Sequence, residues 1–329
     1  MARETNFQAL TDIKVFVGTE ITFGTATLTN GTWNEYQVLD YSFSFPSPAL
    51  EVSGTRAGRA TQADNQVIHR PENELYTASL TLRGTSTAIL AMCGAYFGDG
   101  ADPAALTGDY APPHSAWKDG TASTTQQTLL FQKAGSDATN DDILMTSCIP
   151  TRMKIMQDIG NNNGMMICEV DYVSGYKPSE TALTATSPTV DTATPTYIQD
   201  LVTSSINTQE LMPWSWEIEL NRTIQRVSYK DITDVKPYGM VQVGDVEVTG
   251  ALSVKADDSV NDLAATFYSD VAVQLSLEQV ANLTITCPKI FIDKSNIEKG
   301  DGIQMMTIPF RATHDATSES SNILSISFA

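Results

Sequence analysis

MTSCIPTRMKIMQDIGNNNGMMICEVDY, from Met145 to Tyr172, and LTITCPKIFIDKSNIEKGDGIQMMTIPFRA, from Leu283 to Ala312, are two versions of one pattern. Each has a strand with a cysteine near a proline, then a glycine-rich turn, then Met-Met opening a second strand. The spacing agrees as well, since Cys148 to Cys287 is 287 − 148 = 139 residues and Met165 to Met305 is 305 − 165 = 140. Two strands and their turn therefore recur nearly in register, which predicts an internal duplication.

The repeat extends upstream. In TSTAILAMCGAYFG, Ile89, Met92, Cys93, Tyr96 and Phe97 fall at helical spacing after Ser86 and Thr87 as N-caps. In DDSVNDLAATFYSD, Val260, Leu263, Ala264, Phe267 and Tyr268 have the same spacing, each 171 residues further on. YSFSF aligns with WEIEL at an offset of 175, pairing Tyr41 with Trp216 and Phe43 with Ile218. Around these lie short alternating segments such as YTASLTLR, QTLLFQKAG and DVAVQLSLEQ, punctuated by Gly, Asn, Asp and Pro, which is the pattern of antiparallel strands.

The expected fold is mostly β, with two tandem β-sandwich or barrel domains that each carry one α-helix. Copy one is read as residues 1–177, with inserted surface loops at about 98–127 and 136–142, and copy two as 199–329. A Thr/Ser/Pro-rich extended linker, 178–198, joins them. Trp214, Trp216, Phe291, Phe310, Phe267 and Tyr268 are the expected core of copy two, and Phe43, Phe45, Tyr96 and Phe97 that of copy one. Each copy also has a long arm before its helix-bearing strand; in copy one it contains Arg56, Arg59 and Arg70, the candidate inter-subunit contacts.

Composition narrows the function. The chain has 329 residues and 20 basic against 39 acidic side chains, a net charge of −19. An ordinary nucleic-acid binder needs the opposite sign to neutralise phosphates. No apolar run approaches a membrane span, and MARETNFQAL lacks the apolar core of a signal peptide, so folding in a cytoplasm is the expectation. Cys93, Cys148, Cys168 and Cys287 lie singly in apolar segments and are read as buried thiols. His69, His114 and His314 are scattered, and no triad, metal cluster or phosphate loop can be assembled by spacing. No enzyme, cofactor or metal is expected.

Strand order, the helix in PWSWEIELNR…VTGALSVKADDSVNDLAATFYSD, the TCPKIFI strand and IPFRATHD with its final SISFA resemble the major tail tube proteins of long-tailed bacteriophages, in their duplicated form. The resemblance covers nearly the whole chain, twice. It implies a structural virion protein, made in the bacterial host cytoplasm, whose sheets join into a closed barrel and whose rings stack into the tail tube. Implied partners are the chain itself, as trimeric pseudo-sixfold or alternatively hexameric rings, and the tape-measure, tail-tip and tail-terminator proteins, with no membrane. Genomic DNA would pass without specific binding through a negatively lined lumen, for which Glu217 and Glu219 are candidates because they alternate with Trp216, Ile218 and Leu220. The rival expectations are an acidic tandem β-sandwich adhesion or binding module that stays monomeric, and a virion component that forms a single ring.

Overall fold

The computed structural model describes residues 13–20, 33–43, 50–52, 67–69, 75–97, 109–110, 126–133, 142–176, 178–181, 188–228, 238–255, 273–279, 283–293, 296–300, 303–313 and 323–328. The first half runs through β1 (Ile13–Glu20), β2 (Trp33–Glu35), β3 (Val38–Phe43), β4 (Leu50–Val52), β5 (Val67–His69) and β6 (Tyr76–Arg83) to α1 (Ser86–Phe97). It continues with β7 (Asp109–Tyr110), β8 (Gln126–Lys133), β9 (Asp142–Asp158), β10 (Ile167–Ser174), β11 (Ser179–Thr181) and β12 (Thr189–Val190). The second half comprises β13 (Leu201–Ile206), β14 (Gln209–Glu210), β15 (Pro213–Ser228), β16 (Tyr238–Lys255) and β17 (Val273–Gln279). It ends with β18 (Leu283–Ile292), β19 (Asn296–Gly300), β20 (Ile303–Ala312) and β21 (Ser325–Phe328). The chain is mostly β, with one α-helix among the described residues; the second expected helix lies outside them.

The ladders of the two halves match pair for pair. Leu82 faces Cys168 between β6 and β10, as Val254 faces Met306 between β16 and β20. Tyr41 faces Leu80 in β3 and β6, as Trp216 faces Leu252 in β15 and β16. Ile155 faces Cys168 in β9 and β10, as Ile297 faces Met306 in β19 and β20. The long strand β9 corresponds to β18 and β19 together, and β11 sits on β9 as β21 sits on β18. Even the arms agree, because Leu50 faces His69 between β4 and β5 at the position where Gln225 faces Val241 in the outer part of the β15–β16 hairpin. The expected pairing of Cys148 with Cys287 is corrected: Met145 faces Leu129 where Cys287 faces Leu275, so Met145 takes the place of Cys287.

The alternation seen in the sequence sets which face is buried. Along β6, Tyr76, Ala78, Leu80 and Leu82 are buried while Thr77 and Arg83 are exposed, the period-2 pattern of a sheet covered on one side. A single apolar cluster collects these with Ile155, Val170, Trp216, Ile218, Leu252, Ile308 and Phe310, so the core runs through both halves. Helix α1 is apolar all round and lies inside this core, with Ala88 to Cys93, Ala95 and Tyr96 all buried. Its N-cap is Thr85, whose Oγ1 accepts from the Ala88 N–H at 3.1 Å; Ser86 and Thr87, the expected caps, are already helical. Two expected core residues are on the surface, Trp214 at 39% exposure and Phe291 at 42%. Phe291 faces Arg311 on the open side of the sheet, and Trp214 sits at a bulge that shifts the strand's register.

Between β9 and β10 the chain reverses through Asn162, Asn163 and Gly164, all at positive φ (52°, 55° and 76°), a conformation open to Gly and, at less cost than to other side chains, to Asn. The expected linker is extended but not free. Asp191 is buried, accepts from the Ala193 N–H at 3.0 Å and from the Thr85 hydroxyl at the start of α1, and follows β12, which runs parallel to β2. Part of the expected 98–127 surface loop is a strand as well, because β7 pairs with β21 of the other half.

Candidate assembly interface

The longest ladder between the two halves is antiparallel, β9 with β15, running from Ser215↔Asp158 through Ile218↔Ile155 to Asn221↔Arg152, beside the short β7–β21 pairing. It produces a continuous sheet in the order β3, β6, β10, β9, β15, β16, β20, β19. On the core side of the joint, Trp216, Ile218 and Leu220 are at most 2% exposed. The Trp216 Nε1–H donates to Gln157 Oε1 at 2.8 Å, and Gln279 Nε2 donates to the same oxygen at 2.6 Å. Just beyond the ladder, Arg222 donates from Nε to the Pro150 carbonyl and from Nη1 to the Tyr96 carbonyl, both at 2.7 Å. Its guanidinium lies 4.5 Å from the Tyr96 ring centroid. Burial pushes Arg222 down to about 10, partly countered by Tyr96. A buried cation held by carbonyls and a ring clamps β15 onto α1 and β9.

Because the halves are equivalent, the strands that meet at this joint have counterparts that do not meet within the chain. The counterpart of β15 is β3 and that of β9's end is β19; among the described residues β3 pairs with β6 alone and β19 with β20 alone. The difference shows in burial. Trp216 is 2% exposed and Ile218 1%, whereas their counterparts Tyr41 and Phe43 are half-buried, resting on Phe131 with ring centroids 5.5 Å and 4.8 Å away. An edge of this kind, apolar and without a pairing strand among the described residues, is a template for another strand.

Glu217 and Glu219 point away from the core onto the open face of this sheet, as their alternation predicts, and both are paired. Lys154 Nζ lies 2.6 Å from Glu217 Oε2. Arg152 is shared by Glu219 at 3.1 Å and by Glu169 and Asp171 at 3.3 Å each. Burial opposes charge on Glu219, yet hydrogen bonds from Arg152 and Asn221 outweigh it and hold the carboxyl below its usual range. On Arg152 burial likewise opposes the charge, and Glu219 and Asp171 raise its affinity for the proton above the ordinary value. Arg311 reaches Glu247 at 3.1 Å on the same face. The face is thus a mosaic in which Arg152, Lys154 and Arg311 are each held by carboxylates. Sequence reasoning missed the two cations between the acidic strands, although Arg152 and Lys154 alternate with Met153 and Ile155 in TRMKIM and carry the same signal as WEIEL.

Arg56, Arg59 and Arg70 of the expected inter-subunit arm lie outside the described residues, as do His114, His314 and Phe45. All four cysteines are buried thiols outside any disulfide, and burial pushes Cys168 and Cys287 up to about 12. Among the described residues no group of His, Cys, Asp and Glu could hold a metal ion, and no helix is long and apolar enough to cross a membrane. No family model matches the sequence, and no curated protein matches it significantly.

Proposed function

We propose that this chain is a structural protein of a bacteriophage tail, which closes head to tail into rings and stacks into the tail tube through which DNA leaves the virion. The observation that carries the reading is the β9–β15 ladder: the chain contains, between its own halves, the joint that would link one copy to the next. Translating that ladder onto the outer edges of β3 and β19, which meet no further strand among the described residues, places β19 antiparallel to β3 of the next copy. Ile297 would then oppose Phe43, and Glu298 would oppose Ser42, as Ile155 opposes Ile218 and Met156 opposes Glu217.

Such a contact is heterologous, so it ends in a ring when its rotation closes. Three copies of the eight-stranded sheet make about 24 strands; spaced ~4.8 Å apart and tilted ~40°, they enclose a backbone diameter of about 48 Å. That is too wide to fill with side chains and leaves a channel. The open face, with Glu217 and Glu219, lines it, because the other face is the core. Three of its cations, Arg152, Lys154 and Arg311, are occupied by carboxylates, which leaves DNA phosphates less counter-charge to hold them there and favours sliding over sticking.

The test is a register-specific cross-link. Ser42→Cys with Glu298→Cys should oxidise into covalent closed trimers, whereas Ser42→Cys with Lys299→Cys, shifted by one residue onto opposite faces, should not. Equal cross-linking by both pairs, or by neither, would contradict the edge-to-edge ring.

A further inference from the structure

Before entering β13, residues 189–200 are strapped onto the first half. Strand β12 lies parallel to β2, and the Asp191 N–H donates to the Glu35 carbonyl at 2.9 Å. Gln37 Nε2 donates to the Asp191 and Ala193 carbonyls at 3.2 and 2.8 Å. Further on, the Met166 N–H donates to the Thr196 carbonyl at 2.8 Å, Met165 bridges Tyr197, and Ile198 is buried against Gly164.

The second half has the counterpart of this seat. Phe16 faces Glu35 as Ser205 faces Glu210, so β14 is the equivalent of β2, and among the described residues it pairs with β13 alone. The Arg83 N–H donates to the Gln37 carbonyl as the Lys255 N–H donates to the Met212 carbonyl, so Met212 stands where Gln37 holds the strap. Met212 is 71% exposed, and with Pro213, Trp214, Lys255 and Met305 it lines a recess of about 230 Å³.

The ladders also say which segment corresponds to the strap. Leu129 and Leu275 are equivalent, which makes Lys133 the equivalent of Gln279; Ile13 faces the first and Leu201 the second. The offset of 201 − 13 = 188 aligns residues 1–12, MARETNFQALTD, with 189–200, TVDTATPTYIQD. Residues 1–12 lie outside the described residues, but their place in the repeat is set by β1. In this register Leu10 falls on the buried Ile198, and Asp12 falls on Asp200, whose carboxylate accepts from the Tyr197 N–H at 3.0 Å. Arg3 falls on Asp191. Asp191 accepts from the Thr85 hydroxyl at the start of α1, whereas the expected second helix opens with Asp257 and Asp258. Both sides of the contact change together, from acid and hydroxyl in the first half to cation and carboxylates in the second, so the charges remain complementary.

We infer that residues 1–12 of one copy strap the second half of its neighbour in the same ring, along the outer edge of β14 and over the Met212 recess, with Arg3 toward Asp257 and Asp258. The occupant is a neighbour's segment because the strap lies on one half and leads into the half that follows it. Residues 189–200 lie on the first half and lead into the second. Residues 1–12 lead into the first half, and in a ring the half before it is the second half of the adjoining copy. The inference rests on the ring reading above and adds a tie across the β19–β3 joint.

The experiment is a pair of matched cross-links. Cys168 and Met306 are equivalent, an offset of 306 − 168 = 138, so the Met165–Tyr197 bridge has its counterpart at Ile303 and Ala9. An antiparallel bridge holds its Cα atoms about 4.5–5.5 Å apart, within disulfide reach. The native thiols are buried and do not compete. Met165→Cys with Tyr197→Cys should close within one chain. Ala9→Cys with Ile303→Cys should oxidise from chain to chain into closed trimers, and Leu10→Cys with Ile303→Cys, one residue out of register, should not. Leu10→Ser should raise the concentration at which rings form by about tenfold or more and leave the melting temperature of the dilute monomer unchanged, whereas Ile198→Ser should lower it. A cross-link between positions 9 and 303 confined to monomers would place the segment on its own chain and overturn the inference. So would its absence from rings that still cross-link through Ser42→Cys with Glu298→Cys, an outcome that leaves the ring itself in place. Absence of rings from the unaltered protein would remove the ring reading, and this inference with it.

Discussion

Truncating one apolar side chain at each of two equivalent positions separates folding from assembly. Ile218 is fully buried at the joint within the chain, and its counterpart Phe43 is half-buried on the outer edge of β3. Ile218→Ala should cost about 2–5 kcal/mol of subunit stability, the usual range for a buried aliphatic residue. Phe→Ala costs about 3–5 kcal/mol when the ring is fully buried, so Phe43→Ala should cost roughly 2 kcal/mol in the isolated subunit. The remainder, about 1–3 kcal/mol, is felt when β19 of the next copy covers it, or roughly tenfold per interface at ~1.4 kcal/mol. A ring closed by three interfaces multiplies that to about a thousandfold in the ring formation constant. Mass photometry over a dilution series gives the ring fraction, and calorimetry gives the melting shift at roughly 2–4 °C per kcal/mol. Ile218→Ala should lower the melting temperature more, and Phe43→Ala should lower ring formation more. Rings from Phe43→Ala at unchanged concentration, with a melting shift equal to that of Ile218→Ala, would refute the equivalence of the two edges.

Three further outcomes follow from the geometry. A methyl group on Gly250 would collide with the Glu217 carbonyl and the Phe310 ring, so Gly250→Ala should destabilise by about 3 kcal/mol or more, read as a lower denaturant midpoint. Glu219 titrates below its ordinary 4.5 in the folded chain, so the unfolded state takes up the proton first as pH falls. Its stabilisation is therefore complete above pH 4.5 and lost as pH drops through the lower folded value, and Glu219→Gln should flatten that part of the acid-unfolding curve. Cys93, Cys148, Cys168 and Cys287 should be inert to a thiol reagent in the native protein and all react in denaturant; one fast native thiol would contradict their burial.

Much of the fold was legible because period and burial coincide. WEIEL and YTASLTLR alternate, and the structure buries Trp216, Ile218, Leu80 and Leu82 while Glu217, Glu219 and Thr77 face outward. Helix α1 was equally clear from Ile89, Met92, Cys93 and Tyr96, although its burial on every side was not, since spacing alone does not say what covers the far face. Bulges were invisible. The extra residue at Trp214 put an aromatic expected in the core onto the surface, and residue similarity drew Cys287 to Cys148 although the ladders make Met145, opposite Leu129, the equivalent of Cys287, opposite Leu275. The joint between halves was also out of reach, because pairing β9 with β15 depends on two strand edges meeting in space and leaves no mark in either strand's own pattern. The tether was misread in part for the same reason: Asp191 lies in a run of Thr, Ser and Pro, and its contact with Thr85 lies 106 residues away.

The central claim is that this chain closes on copies of itself through β3 and β19, the counterparts of the edges its own halves use on each other. The most direct measurement is microscopy of the purified protein at rising concentration, with end-on views averaged without imposed symmetry. The account predicts hollow rings of three chains and, from them, tubes, with a backbone wall about 48 Å across. Persistent monomers at every concentration, even when seeded with preformed tubes, would contradict it.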